Sequence, residues 1–303
     1  MRNQIEVTLG TVEQQNRKGL ALAFASYIIW GIMPLYWQEL KPIDSWVIIF
    51  YRIILVAVVS FAGALKADGW EKIKSGLKPK GTKLTFLLAG LFITANWSLY
   101  VWAVNAGFVI QTSIGHYLEP LMIAGFGIIL FKEKAVKSKI FAFALAGIGV
   151  LIIMVHYGEA PFIAIGLGST FAIYAAIKKR VSCSSILSLF YETVFFVPAA
   201  LIIVVFLEIT GKGALAAASP AKYLLLMTVG LVTVIVLWLF AEAETKTSLS
   251  NIGLIAYIAP TISLFLGIFW FKEPFDLVQL GAFAVIWAGL IILSIGEFFE
   301  KKG

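Results

Sequence analysis

Charge is the first thing this chain lacks. Asp, Glu, Lys and Arg make up 14% of its 303 residues, whereas a soluble domain needs about 25% to cover its surface. Cysteine is nearly absent as well: Cys183 stands alone, which excludes an internal disulfide and a cysteine metal centre. His116 and His156 are the only histidines and lie too far apart in sequence to suggest a ligand cluster, so neither a metal nor a cofactor is expected. No Gly-x-x-x-x-Gly-Lys-Ser/Thr loop occurs, which excludes direct drive by ATP through that device. These shortages argue against a soluble enzyme, a nucleic-acid module, a collagen-like rod and a disordered tail. The membrane-embedded enzyme fails for the same reason, having no nucleophile or metal cluster to use.

What the chain has instead is apolar length. Sixty per cent of it is hydrophobic, in runs of about 20 residues, each sufficient to cross a ~30 Å hydrocarbon core as a helix. The runs predict spans at 19–37, 44–65, 84–106, 109–131, 138–156, 161–178, 185–207, 222–243, 251–271 and 277–296. The first begins after Arg17-Lys18 and is too long for the apolar part of a signal peptide, so it is expected to stay as a span. Residues 1–18 read as a cytoplasmic tail without structure of their own. The fold class that follows is an all-α polytopic membrane protein.

The placement of basic residues tests the span list. Ten spans put nineteen Lys and Arg on the face of the N-terminal tail and four on the opposite face, with Arg52 inside a span. Such a bias marks the cytoplasmic side, so both termini are expected there, and the net charge of +7 orients the protein rather than binding nucleic acid. In the basic loop 66–83, Trp70, Ile73 and Leu77 form an apolar stripe that predicts a short interfacial helix.

The chain also repeats itself at an offset of 140 residues. Tyr117 matches Tyr257, Pro120 matches Pro260, Gly127 matches Gly267, and Phe131-Lys132-Glu133 matches Phe271-Lys272-Glu273. The register continues ungapped in Phe50-Tyr51 with Phe190-Tyr191, Gly90-Leu91 with Gly230-Leu231, and Ala142-Phe143-Ala144 with Ala282-Phe283-Ala284. Two units follow, 19–156 and 161–297, each with five spans. An odd number inverts the second unit in the membrane, which is a transporter architecture.

Tyr-Leu-Glu-Pro-Leu at 117–121 and Tyr-Ile-Ala-Pro-Thr at 257–261, each followed by Phe-Lys-Glu, resemble the EamA repeats of the drug/metabolite transporter superfamily. Ser26-Tyr-Ile-Ile-Trp-Gly31, Tyr51-Arg52, Ala95-Asn-Trp97, Val101-Trp-Ala-Val-Asn105 and Tyr191-Glu-Thr193 are similar to the RarD-type branch. That resemblance covers roughly residues 18–297. It implies ten helices as two inverted EamA repeats, cytoplasmic termini, and export or exchange of small metabolites. The chain departs from the branch at Gly115-His116-Tyr117-Leu118-Glu119-Pro120, where Gly-Tyr-Phe-Ile-Asn-Pro is common. A carboxylate there replaces an amide.

Several side chains are candidates for the chemistry. Glu119 lies about 15 Å into its span at 1.5 Å per residue, at the midplane, where an ion is disfavoured and a group that exchanges protons is plausible. His116 stands one turn away and could share its proton. Pro120 and Pro260 each remove a backbone donor and open a helix, either toward a cavity or simply as packing kinks. Arg52 and Glu192 occupy equivalent buried positions, either as an ion pair or with separate roles in a cavity. Trp30, Asn96, Trp97 and Tyr100 form an expected aromatic box with an amide handle for flat or cationic solutes, and Tyr117 and Tyr257 join the substrate-binding set. Tyr36, Trp37 and Trp102 lie near span ends and read as interfacial belt residues. Ala142, Ala146 and Gly149, with Gly281, Ala284 and Ala288, form small-residue faces suited to close helix packing or to a homodimer.

The reading that unites these features is a non-enzymatic secondary transporter of the plasma (inner) membrane, moving amino-acid-like or amphipathic metabolites or drugs by alternating access, with proton coupling through Glu119. Its partners are the bilayer and a small-molecule substrate. The alternative is a non-catalytic channel or receptor.

Overall fold

The computed structural model describes residues 2–131, 137–157, 161–178, 181, 183–247 and 255–300. Regular structure among them is helical throughout. In chain order the helices are α1 (Arg2–Glu39), α2 (Ser45–Ala67), α3 (Trp70–Ser75), α4 (Thr82–Asn105), α5 (Val109–Phe131), α6 (Lys137–Tyr157) and α7 (Phe162–Lys178). There follow α8 (Ser185–Val194), α9 (Val197–Ile209), α10 (Ala214–Ala217), α11 (Pro220–Met227), α12 (Val229–Glu244), α13 (Ile258–Phe265), a π-helical turn (Leu266–Trp270) and α14 (Leu277–Glu300). Every expected apolar stretch carries helix. By length and composition, four helical stretches can cross a membrane: Gln14–Glu39, Ser45–Ala67, Thr82–Asn105 and Pro220–Ala243. A fifth crossing forms if the bent pair α8 and α9 is one span.

Three local features differ from the sequence reading. The tail expected to lack structure is helical from Arg2; its straight-chain Gln, Glu, Leu and Arg residues favour helix, and extending an existing helix needs no new nucleus. The stretch 185–207 is broken rather than straight, with α8 and α9 meeting at 58°. Pro198 sits in the first turn of α9, where its missing N–H is tolerated but its ring prevents α8 from running through. The interfacial stripe of 66–83 is turned inward: Ile73 is buried with Phe86, Leu187 and Tyr191, and the Tyr191 hydroxyl donates to the Ile73 carbonyl at 2.6 Å. Only Trp70 remains exposed.

Equivalent positions make equivalent contacts. A methyl added to Gly149 on α6 would lie 3.0 Å from the Ala282 carbonyl oxygen on α14, and one added to Gly289 would lie 3.0 Å from the Ala142 carbonyl oxygen. The two pairs exchange under the repeat: Gly289 is the counterpart of Gly149, and Ala282 that of Ala142, each 140 residues on. Gly90 on α4 closes on the Glu192 carbonyl of α8, and its counterpart Gly230 on α12 closes on the Leu55 carbonyl of α2, about one turn along from Arg52, the counterpart of Glu192. Small residues at these crossings let backbones approach to contact distance, as membrane helices require. On α14 the contact face is Ala282, Ile286 and Gly289; Gly281, Ala284 and Ala288, the expected face, point outward.

Tyr51 and Tyr191 also act as equivalents. Tyr51 on α2 donates to Glu208 at 2.7 Å, and Glu208 caps the Ala214 N–H at 2.7 Å. Tyr191 on α8 holds the loop carrying α3. Each tyrosine therefore anchors the connecting loop of the opposite half.

Candidate functional site

Arg52 organises the interior. It lies eight residues from Asp44, whose side chain caps α2 by accepting from the Trp46 N–H at 2.8 Å, a depth of about 12 Å along the helix. The residue is 6% exposed. Its guanidinium stacks 4.4 Å from the Trp97 ring centroid and 5.0 Å from that of Trp37. Nε and Nη1 are buried without a hydrogen-bond partner, and among the described residues no carboxylate lies within ion-pair distance of it. Taking an unpaired guanidinium out of water costs several kcal/mol even after relaxation. Two cation–π contacts, worth about 2 kcal/mol each when desolvated, offset that only in part.

Trp37 is a member of this group that the sequence reading placed in an interfacial belt. It is 1% exposed, packed edge-to-face against Tyr36 at 5.1 Å, and its Nε1 lies near the Tyr100 hydroxyl without forming a hydrogen bond of ordinary geometry. The spacing held a signal: Trp30 and Trp37 are seven residues apart and share one face of α1. Tyr36, the second belt candidate, donates to the Leu225 carbonyl at 2.8 Å and so ties α1 to α11.

Tyr100 leads from Arg52 to the next pair. Its ring meets the His116 imidazole edge-on at 5.3 Å, and its hydroxyl is within electrostatic range of both Arg52 and Glu119. His116 Nδ1 and Glu119 Oε1 are 2.8 Å apart, one turn from each other on α5, with side chains 27% and 15% exposed. Two titratable groups in direct contact can pass one proton between them.

Glu192, the positional counterpart of Arg52, does not pair with it. Its carboxylate is fully buried and takes Lys178 Nζ from α7, the Ser188 hydroxyl at 2.5 Å and the Tyr174 hydroxyl at 3.2 Å. Lys178 also donates to Ser188 at 2.6 Å. The ion-pair alternative for Arg52 and Glu192 is therefore replaced by two separate environments.

The expected aromatic box divides. Trp97 and Tyr100 face Arg52, but Asn96 points to α7, where its Nδ2 donates to the Leu167 carbonyl at 2.9 Å and to Thr170 at 3.1 Å. Neighbouring positions on a helix differ by about 100°, so Asn96 and Trp97 cannot share a face. Trp30 stacks with Tyr27 at 5.5 Å and Phe240 at 6.0 Å, while also packing against the core cluster of Trp37 and Tyr100.

Tyr117 and Tyr257, one from each repeat, stack on each other at 6.4 Å and 21°. Tyr117 is 1% exposed, shares a hydrogen bond with Thr261 at 2.6 Å and packs against Phe283 and Trp287. The two prolines behave differently. Pro120 sits inside the continuous helix α5, whereas Pro260 lies in the first turn of α13, after a turn at Tyr257. Ile255 and Ala256 are helical before that turn, so the ninth expected stretch is interrupted beside Pro260, as its missing donor predicts.

The Phe-Lys-Glu motif of the second repeat has a structural role that its spacing did not reveal. Lys272 adopts a left-handed φ of 56°, which turns the chain after the π-helical segment. Glu273 then accepts from the N–H groups of Val109 and Ile110 at 2.6 and 2.8 Å, capping α5 from the other repeat. Burial pushes the Glu273 carboxyl upward from its ordinary range, and the two N–H donors counter part of that shift. The first-repeat copy, Lys132-Glu133, lies outside the described residues.

Two open clefts lie elsewhere. One runs between Lys41–Trp46 and Trp102–Ala106, the other along Leu91, Thr94, Ser98, Trp102 and Phe196; neither is lined by Arg52, His116 or Glu119.

With this geometry in place, comparison with known proteins is decisive. The EamA-like transporter family model matches residues 17–155 and again residues 160–295. The chain belongs to the EamA-like transporter family. It is 36% identical over 293 residues to the uncharacterized transporter YojE of Bacillus subtilis, covering 95% of this chain and 97% of that protein. It is 36% identical over 284 residues to Protein RarD of Streptomyces exfoliatus, covering 93% and 90%. A solved crystal structure shares the fold at 13% identity, with a TM-score of 0.59 over 91% of this chain and 97% of that one. The EamA protein is thus a RarD-type transporter with several apolar membrane-spanning helices.

Proposed function

We propose that this protein is a secondary transporter of small organic metabolites that works by alternating access, through ten spans arranged as two inverted five-helix repeats, 19–156 and 161–297. The observation that carries this reading is the exchange of equivalent contacts: Gly149 on Ala282 with Gly289 on Ala142, and Tyr117 stacked on Tyr257 between the halves. Halves that pack through equivalent faces can swap their conformations and move access from one side of a midplane site to the other. The nineteen-to-four bias of basic residues supports cytoplasmic termini in the plasma membrane.

The substrate site is the group Arg52, Trp97, Tyr100, His116 and Glu119, and the His116–Glu119 pair carries the coupling proton. An ionised carboxylate is disfavoured in a closed site and tolerated in a wet one, so Glu119 takes up a proton on one side and releases it on the other. Glu119→Gln keeps the shape but cannot titrate. In proteoliposomes of purified protein screened with amino acids and amphipathic drugs, the wild type should show saturable counterflow and accumulation driven by a pH gradient. The Gln variant should keep counterflow and lose accumulation at least tenfold. Absence of counterflow for every solute would favour the channel or receptor reading, and a Gln variant that still accumulates solute would remove Glu119 as the coupling group.

A further inference from the structure

We propose that Arg52 is the receptor for a carboxylate on the transported solute, and that the substrate is a small organic acid whose apolar body lies beside Trp97 and Tyr100. The inference deepens the transporter reading and rests on it. Arg52 is a buried cation whose Cζ lies over the indoles of both Trp37 and Trp97. A guanidinium donates only in its own plane, so contact of its carbon with ring faces uses none of its N–H donors. Nε and Nη1 are both buried and unpartnered, each on an edge that Nη2 completes, and the buried Nε1 of Trp37 is a further unused donor close by. A carboxylate matches a guanidinium edge with two parallel hydrogen bonds.

The protein's own carboxylates are engaged elsewhere. Glu119 is held by His116 at 2.8 Å, and Glu192 is held by Lys178, Ser188 and Tyr174. The charge of the ligand follows from the same count. A single guanidinium, with Glu119 nearby across Tyr100, matches one negative charge better than the two of a phosphate ester. Trp97 and His116 both keep part of their surface open although they sit inside the bundle, which gives the body of such an acid an aromatic wall to lie on.

The test compares acids with their own amides on the purified full-length chain, reading intrinsic tryptophan fluorescence and thermal stabilisation. The probes are phenylacetate, hexanoate and L-phenylalanine, each beside its amide. At least one acid should bind saturably, its amide at least tenfold more weakly, and Arg52→Lys, which keeps the charge but loses the fork, should weaken the acid at least tenfold. Equal binding of acid and amide, no binding of any acid, or wild-type affinity in a folded Arg52→Lys variant would each overturn the proposal. The acid–amide comparison needs no variant, so misfolding of Arg52→Lys leaves it decisive. Counterflow of the amides would contradict the carboxylate receptor but keep the transporter, whereas acid binding without any counterflow would keep the receptor and contradict the transporter.

Discussion

Arg52 and Glu192 occupy the same place in two copies of one repeat, and their surroundings have diverged. Glu192 is fully buried and fully served: a lysine, a serine and a tyrosine all reach its carboxylate. Arg52 is almost as deeply buried and is served only by rings. A buried charge with a complete set of partners holds helices together; one without them is unfinished until something else arrives. One of the two equivalent positions is closed among the protein's own polar groups, and the other is not.

Stability and activity should therefore separate along this pair. The largest loss of stability is expected for Glu192→Ala, which strands Lys178 and Ser188. Breaking a buried pair costs about 3–5 kcal/mol, and the lower end applies because Lys178 is 30% exposed and can turn to water. Thermal unfolding in detergent reads this directly. Gly90→Ala should come next, since its methyl would sit 2.0 Å from the Glu192 carbonyl oxygen and force α4 and α8 apart, a cost of about 1–3 kcal/mol. Gly147→Ala is its control, because nothing lies within 4 Å there and no loss is expected. The smallest effect on folding belongs to Arg52→Met, which replaces an unpaired charge with an apolar chain and should melt at or above the wild-type temperature. Transport should nevertheless fall at least tenfold. An Arg52 variant that unfolds like Glu192→Ala would erase the contrast.

Much of this was legible in the sequence, for identifiable reasons. Apolar length sets where helices form, so the expected stretches and the helices coincide closely, as at Val109, where α5 starts. His116 and Glu119 meet because positions three apart share a helix face, which is a local rule. Contacts across helices were harder to read. Nothing in one span tells Asn96 that its partner is Leu167, or Glu192 that its cation is Lys178, since these depend on how helices cross. Trp37 was misplaced because nearness to a helix end in sequence resembles nearness to the interface in space, and here α2 and α4 cover that end. The break before Pro198 was legible and missed, because a strongly apolar run hid a proline that starts a helix.

Accessibility labelling of two corresponding loops bears most directly on the account. With the exposed Cys183 replaced by serine, single cysteines at Phe108 and Thr247 would mark the loop at the start of the fourth expected span and the segment leading to the ninth. If the halves are inverted, an impermeant thiol reagent added outside intact cells labels Phe108→Cys, and Thr247→Cys reacts only after the membrane is opened. Labelling of both positions from the same side would contradict the inverted arrangement and the alternating-access mechanism built on it.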